Sequence, residues 1–214
     1  MEGNDLGLGK FIALEGIDGS GKSTQAVYLT ELIKKTGHQV YSTAEPSTGP
    51  VGVMIRQILS GRMKMDSAAT AALFAADRLD HISNPVDGLR QKLEAGTFVI
   101  SDRYYFSSYA YHSLDLPMDW VAALNERAAA ALRADITIFI DLSPESAMER
   151  ISRNRGKTEL FEKRETLQKV RGLYLEAFER FKGLENIIIV DGERSPEEIA
   201  ASIKDIVLEA GIIA

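Results

Sequence analysis

Residues Gly16-Ile17-Asp18-Gly19-Ser20-Gly21-Lys22-Ser23 combine closely spaced glycines with an ammonium and a hydroxyl in the spacing G-x-x-x-x-G-K-S. An apolar run, Phe11 to Leu14, precedes them, and a helical pattern opens at Lys22. A turn of this kind wraps backbone N–H groups around a phosphate, and the positive end of the following helix adds to the same field. Lys22 would reach the β- and γ-phosphates as a movable charge, while the Ser23 hydroxyl would ligate a Mg²⁺ bridging them. The expected chemistry is capture of a nucleoside triphosphate by the stretch from Gly16 to Thr24.

Further groups could act on that phosphate. Asp102-Arg103-Tyr104 follows the apolar run Phe98 to Ser101, at the edge where open α/β sheets place their ligands. A carboxylate there can hold the Mg²⁺ shell, and a guanidinium can clamp phosphate oxygens through two parallel hydrogen bonds. The same pair also reads as a structural ion pair; its neighbours favour the first reading. Phe74 and Arg78 stand four residues apart on one helical face, where a ring could stack on a base and a guanidinium could bond its edge. Phe74 taken singly is more often a core residue. From Glu149 to Arg171 there are eight Lys/Arg against four Asp/Glu, in a chain of net charge −6. Arg150, Arg153, Arg155 and Lys157 surround Gly156 in this segment. Such a run by itself reads as a solvated face; beside a phosphate loop it reads as a cationic lid that closes on the transferred group. Tyr104, Tyr105, Tyr109 and Tyr111 are expected mostly to pack. His38, His81 and His112 lack catalytic or ligand spacing.

The elements that must position these residues are legible. The runs Phe11 to Leu14, Val40 to Thr43, Phe98 to Ser101, Ile136 to Leu142 and Ile187 to Val190 are separated by long helix-patterned segments. Their continuous hydrophobicity predicts parallel strands covered on both faces. Gly37, Gly96 and Gly183 close helical patterns just before strands. With 214 residues and 45% apolar content, the chain suits one domain over 1–214, with 1–9 as a loose leader and about 149–164 as the lid. The acidic balance argues against stable nucleic-acid binding, which requires a basic face. No run approaches a membrane span, and the absence of cysteine excludes disulfides and thiolate metal sites and makes a cytoplasmic setting the default.

Four blocks in order resemble the thymidylate kinase family, from Lys10 to Ile206. They are Phe11 to Gln25; Glu45-Pro46 leading to Ile55-Arg56-Gln57-Ile58-Leu59; Leu73 to Arg78; and Asp102-Arg103-Tyr104 with Ser107-Ser108 and Ala110-Tyr111. The resemblance implies a three-layer P-loop fold with a five-stranded parallel sheet and a short basic lid. It implies transfer of the ATP γ-phosphoryl group to dTMP, with Mg²⁺, in a homodimer formed through helices flanking the sheet, where Ala68 to Ala76 offers a face. It places Glu45 and Pro46 at the acceptor, Asp18 at its 3′-hydroxyl, Phe74 on thymine, and Arg78 and Ser108 at the thymine edge. Tyr111 falls at the sugar 2′ position, Arg103 on the acceptor phosphate and Asp102 on Mg²⁺. Because Gly19 fills the loop position where some relatives carry a catalytic arginine, the resemblance moves that role to Arg150, Arg153 and Arg155, with Arg150 on adenine. Two departures stand out. Ala44 precedes Glu45-Pro46 where many relatives have arginine, and His112 follows Tyr111 where they have glutamine; Arg56 could replace the missing phosphate contact. A kinase of another nucleotide or nucleoside is the alternative reading. A nucleotide switch or non-catalytic module is disfavoured because no guanine-reading N-K-x-D run occurs.

Overall fold

The computed structural model describes residues 9–151 and 157–213. In chain order the elements are β1 (Phe11–Glu15), α1 (Lys22–Lys35), β2 (Val40–Ala44), α2 (Pro50–Leu59), α3 (Ser67–Ser83), α4 (Leu89–Glu94), β3 (Phe98–Asp102), α5 (Tyr105–His112), α6 (Met118–Ala131), β4 (Ile136–Asp141), α7 (Pro144–Ile151), α8 (Lys157–Arg180), β5 (Ile187–Asp191) and α9 (Pro196–Glu209). The five strands form one parallel sheet in the order β2-β3-β1-β4-β5. Each expected strand is present, within a residue or so at its C-terminal end.

The alternation of side chains along a strand divides the core in two. Phe11 and Ala13 face one layer, with residues of α5, α6 and α8 packed on them, while Ile12 and Leu14 face the other, beneath α1 and α9. Both layers are apolar, which is why the central strands carry no polar alternation. The glycines at 37, 96 and 183 adopt positive φ at the ends of helical segments, as their placement predicted. Ala71 and Ala75 of α3 are buried within the chain, where α3 packs on α2 and α6, so the face expected to meet a second subunit is already covered at those positions. Among the described residues no helix is long and apolar enough to cross a membrane.

The strand order puts the carboxyl ends of β1 and β3 side by side, with Leu14 opposite Asp102. The phosphate loop and the Asp102-Arg103 turn therefore leave the sheet next to each other. The segment after β2 joins them, since Glu45 N donates to the Asp102 carbonyl at 3.0 Å.

Helix α2 is pressed onto that segment at Gly52, where a Cβ would lie 2.0 Å from the Ser47 carbonyl oxygen and 2.9 Å from Asp77 Oδ1. In an open helix Gly→Ala stabilises by about 1 kcal/mol. Here overpacking reverses the sign: Gly52→Ala is expected to cost about 2 kcal/mol, read as a lower urea midpoint at unchanged slope. A raised midpoint would contradict the close approach.

Candidate active site

Two cavities open at the carboxyl edge. One of about 600 Å³ is walled by the phosphate loop from Asp18 to Thr24, with Asp102, Arg103, Arg150, Pro196 and Ile199. The other, about 370 Å³, is walled by Glu45, Pro46, Phe74, Arg78, Ser108 and Tyr111 among others. Asp18 and Arg103 line both, and their side chains pair at 2.6 Å. The sequence-predicted residues are thus gathered around one junction. Gly16 and Ile17 stand behind the loop: Ile17 is fully buried, and its carbonyl accepts from Lys22 Nζ at 3.0 Å. Arg153 and Arg155 lie outside the described residues.

The loop conformation rests on glycine. Gly19 and Gly21 take φ of +85° and +94°, a region that costs a side-chain-bearing residue energy. A Cβ on Gly19 would also lie 2.9 Å from the Ala147 carbonyl of α7, so α7 occupies the space that an arginine at this position would need. Ser23 Oγ donates to Asp102 Oδ2 at 2.5 Å, bringing a hydroxyl and a carboxylate together at one point of the phosphate cavity. Helix α7 is held at its start by Glu193, which accepts from Ser143 N at 2.9 Å and from Ser146 Oγ at 2.6 Å. At its far end, Arg150 Nη2 donates to the Gly192 carbonyl at 2.8 Å.

Arg103 is held from several directions. It has φ of 77°, unusual for a residue with a Cβ and a mark of backbone held by its surroundings. Nη2 donates to Asp18 Oδ1 at 2.6 Å and to Tyr111 OH at 3.3 Å. Nη1 donates to Ser107 Oγ at 2.9 Å, and to Gly16 O and Tyr174 OH at 3.3 Å each. Behind these hydroxyls lies Glu15, fully buried. Its Oε2 accepts from Ser107 Oγ at 2.6 Å and from Tyr174 OH at 2.9 Å, and its Oε1 accepts from the N–H groups of Tyr104 and Ser107 at 2.8 and 3.1 Å. Burial raises the Glu15 carboxyl pKa, against the hydrogen bond from Ser107 and the charge of Arg103. Neither Glu15 nor Tyr174 was singled out in the sequence. One signal was available: an acidic residue directly before the loop, at the end of an otherwise apolar strand.

In the smaller cavity Arg78 is buried and charged. Burial opposes its charge, but Glu45 raises its pKa, pairing with Nη2 at 2.6 Å and accepting from Nε at 2.7 Å. Glu45 thus acts on the cavity through Arg78. Phe74 meets the His112 ring edge-on at a centroid distance of 4.9 Å. Burial, then repulsion from Arg78, lowers the His112 pKa to about 4, so the ring is neutral near pH 7. Tyr111 OH accepts from Asp18 N at 3.1 Å as well as from Arg103, which leaves its own proton to donate. Arg56 lines neither cavity: Nη1 donates to the carbonyls of Pro46 and Ser47 at 2.9 and 2.5 Å and braces their turn. The phosphate contact considered for it is therefore not supported, since its guanidinium holds the loop instead. Met65 also lines this cavity.

Lys22 carries a pH signature. Burial, then the nearby Arg103, lowers its pKa from 10.5 to about 8, although Asp102, Asp18 and Glu15 oppose the shift. Between those values the unfolded chain holds a proton that the free folded protein lacks, so this group's contribution makes folding more favourable as pH rises from about 8. A bound triphosphate supplies the missing negative charge and restores the proton. Triphosphate binding at about pH 8.5 should therefore take up a fraction of a proton and weaken as pH rises further. Calorimetry in two buffers of different ionisation enthalpy measures this, and an identical heat in both would refute it.

The thymidylate kinase family profile matches residues 14–203. A probable thymidylate kinase of Thermococcus onnurineus is 40% identical over 88% of this chain and 92% of its own length. One of Thermococcus kodakarensis is 38% identical over 93% and 99%, and one of Pyrobaculum aerophilum 36% identical over 92% and 95%. The match covers the phosphate loop, the Asp18–Arg103 junction and both cavities, and the chain belongs to the thymidylate kinase family.

Proposed function

We propose that the chain transfers the γ-phosphoryl group of ATP to the phosphate of dTMP, with the phosphate-loop cavity as donor site and the Phe74/Arg78 cavity as acceptor site. The observation that carries this reading is the shared wall: the phosphate-loop cavity and the Phe74/Arg78 cavity meet at one guanidinium–carboxylate pair, Arg103 and Asp18. An acceptor phosphate on Arg103 would stand beside a triphosphate on Lys22, at the wall that both cavities share. Its oxygen attacks the γ-phosphorus, the bond to the β–γ bridging oxygen breaks, and ADP leaves with that electron pair. No general base is needed, because the attacking phosphate is already ionised. Catalysis then consists of positioning and charge neutralisation.

The predicted residues take the following places in this scheme, with Glu45 and Pro46 in the wall of the acceptor site. Backbone N–H groups of the loop hold the donor, and Lys22 follows the moving charge. Phe74 stacks on the base, Arg78 and Ser108 meet its edge, Tyr111 lies against the sugar, and Asp18 helps to place its 3′-hydroxyl. Arg150, with Arg153 and Arg155 from the same segment, would cover the donor. Ser23 and Asp102 would hold Mg²⁺. Among the described residues no cluster of three His, Cys, Asp or Glu side chains could bind a metal. One carboxylate and one hydroxyl fit a hard cation that takes its remaining ligands from phosphate and water. The ion, when bound, neutralises charge on the β- and γ-oxygens. A homodimer belongs to the same reading and is supported by Val53 and Met54 of α2, 47% and 42% exposed; light scattering tests it. A cytoplasmic setting is supported by the cysteine-free sequence.

The test is ADP release with MgATP against dTMP, dUMP, UMP, dCMP, dGMP and AMP. Preference for dTMP is the expected result. Turnover of a different nucleotide would keep the kinase and discard the base assignment, and hydrolysis indifferent to any acceptor would discard the kinase. Arg103→Ala should lower dTMP turnover by roughly 10³, with a much smaller change in ATP affinity. Unchanged acceptor KM and kcat would remove Arg103 from the site.

A further inference from the structure

The Ala-rich helix α6 carries one polar residue in its buried stripe. Val121, Asn125 and Ala128 follow the spacing of a single helical face, and Asn125, like Val121, is 0% exposed. No residue of α6 lines the acceptor cavity. A fully buried carboxamide in that position requires partners for both ends, and it has them. Nδ2 donates to the Val121 carbonyl at 2.8 Å within the helix, and Oδ1 accepts from Arg78 Nη1.

That contact completes the frame around Arg78. Glu45 takes the Nε/Nη2 side of the guanidinium, and Ser108 Oγ accepts from Nη2 at 3.1 Å. The ring of Tyr104 lies 5.6 Å from the guanidinium carbon. Of five N–H donors, three are in hydrogen bonds, to Glu45, Asn125 and Ser108, and Nη2 also lies 2.6 Å from Glu45 Oε2 as an ion pair. Among the described residues no acceptor meets the remaining Nη1 N–H, and Arg78 lines the cavity. A guanidinium gripped by Glu45 alone could pivot about that ion pair; Asn125, on the opposite edge, removes the pivot and fixes where the remaining N–H points.

We propose that Asn125 is a specificity-positioning residue: by holding Arg78 Nη1 from outside the cavity, it aims the free N–H at the 4-position of a pyrimidine. A keto oxygen there, as in thymine or uracil, accepts that hydrogen bond. The amino group of cytosine meets donor with donor and is rejected. Asn125 acts through Arg78 and touches no substrate. The inference rests on the assignment of Arg78 to the base edge.

Three variants separate the possibilities, each assayed for kcat/KM with dTMP and dCMP, for ATP KM and for thermal midpoint. Asn125→Leu keeps the branched four-heavy-atom shape and removes the acceptor. It is expected to raise the dTMP KM and to lower the dTMP/dCMP preference about tenfold or more, with ATP KM unchanged. Asn125→Asp keeps an oxygen toward Arg78 but loses the donor to Val121, so it should be destabilised yet retain the preference. Arg78→Lys should lower the preference in its own right. If Asn125→Leu and Asn125→Asp lose stability while both keep the wild-type preference, Asn125 only braces α6 and the proposal fails. If Arg78→Lys also leaves the preference intact, the assignment of Arg78 to the base fails with it.

Discussion

The buried carboxylate of Glu15 is the constraint on which the site depends. It ends β1, directly before the phosphate loop, and accepts hydrogen bonds from the backbone and hydroxyl of Ser107, from the Tyr104 N–H and from Tyr174. Tyr104 is the N-cap of α5 and provides no side-chain cap of its own; Glu15 caps that helix from the neighbouring strand and places negative charge at its positive end. Through Tyr174 it also fixes α8, the helix that carries the second half of the basic segment. Each buried donor left unpaired costs about 1–3 kcal/mol, against a total stability of about 5–15 kcal/mol for a domain. Four donors on one carboxylate therefore weigh as much as the margin that keeps the chain folded.

The same device recurs across the sheet. Glu45 follows β2 and holds Arg78, while Asp102 ends β3 and holds Ser23. Asp141 ends β4 and takes both arms of Arg171 at 2.6 and 2.8 Å. Asp191 ends β5 and accepts from Glu193 N at 3.0 Å, in the segment that steadies α7. All the strands are parallel, so these carboxylates fall along one edge. Each ties a strand end to a loop or helix that would otherwise be free to move, and the segments tied by Glu15, Glu45 and Asp102 line the two cavities. An acidic edge of this kind would repel phosphate if left bare. Here most of its charge is spent on arginines and backbone donors, so the surfaces left to a ligand are N–H groups, Lys22 and the edges of guanidinium groups.

This organisation explains what was legible beforehand. The phosphate loop, the five strands and the Asp102-Arg103 turn are local: spacing and hydrophobicity alone specify them, and the structure places them within a residue or so of expectation. The placement of Phe74 and Arg78 on one cavity wall was also visible, because positions four apart share a helical face. The roles of Glu15, Tyr174 and Asn125 depend on segments far apart in sequence. Tyr174 lies 159 positions from Glu15, and only the packing of α8 on α5 brings them together. Asn125 lies in the Ala-rich helix α6, where an amide within an apolar stripe was a readable sign that something polar waited on the other side. Arg56 shows the reverse case: the right charge in the right block, turned toward carbonyls of its own loop.

The position of Arg103 follows from these constraints taken together. Its left-handed backbone lets the chain turn sharply from β3 toward α5, and the N–H of Arg103 still reaches the Leu14 carbonyl at 2.9 Å, extending the sheet one residue past Asp102. The side chain then crosses beneath the phosphate loop between Asp18 on one side and the Ser107–Tyr174 hydroxyls on the other. Those two hydroxyls give their protons to Glu15 and offer their oxygens to Arg103, so a buried negative charge and a buried positive charge are joined through oxygens rather than by direct contact. That separation matters for phosphoryl transfer. A guanidinium paired face to face with Glu15 would have its charge cancelled, whereas one held at a remove keeps part of its field for a phosphate. Among the described residues only Asp18, at the cavity rim and half exposed, pairs with it directly, and a rim carboxylate can give way to an arriving phosphate where a buried one could not.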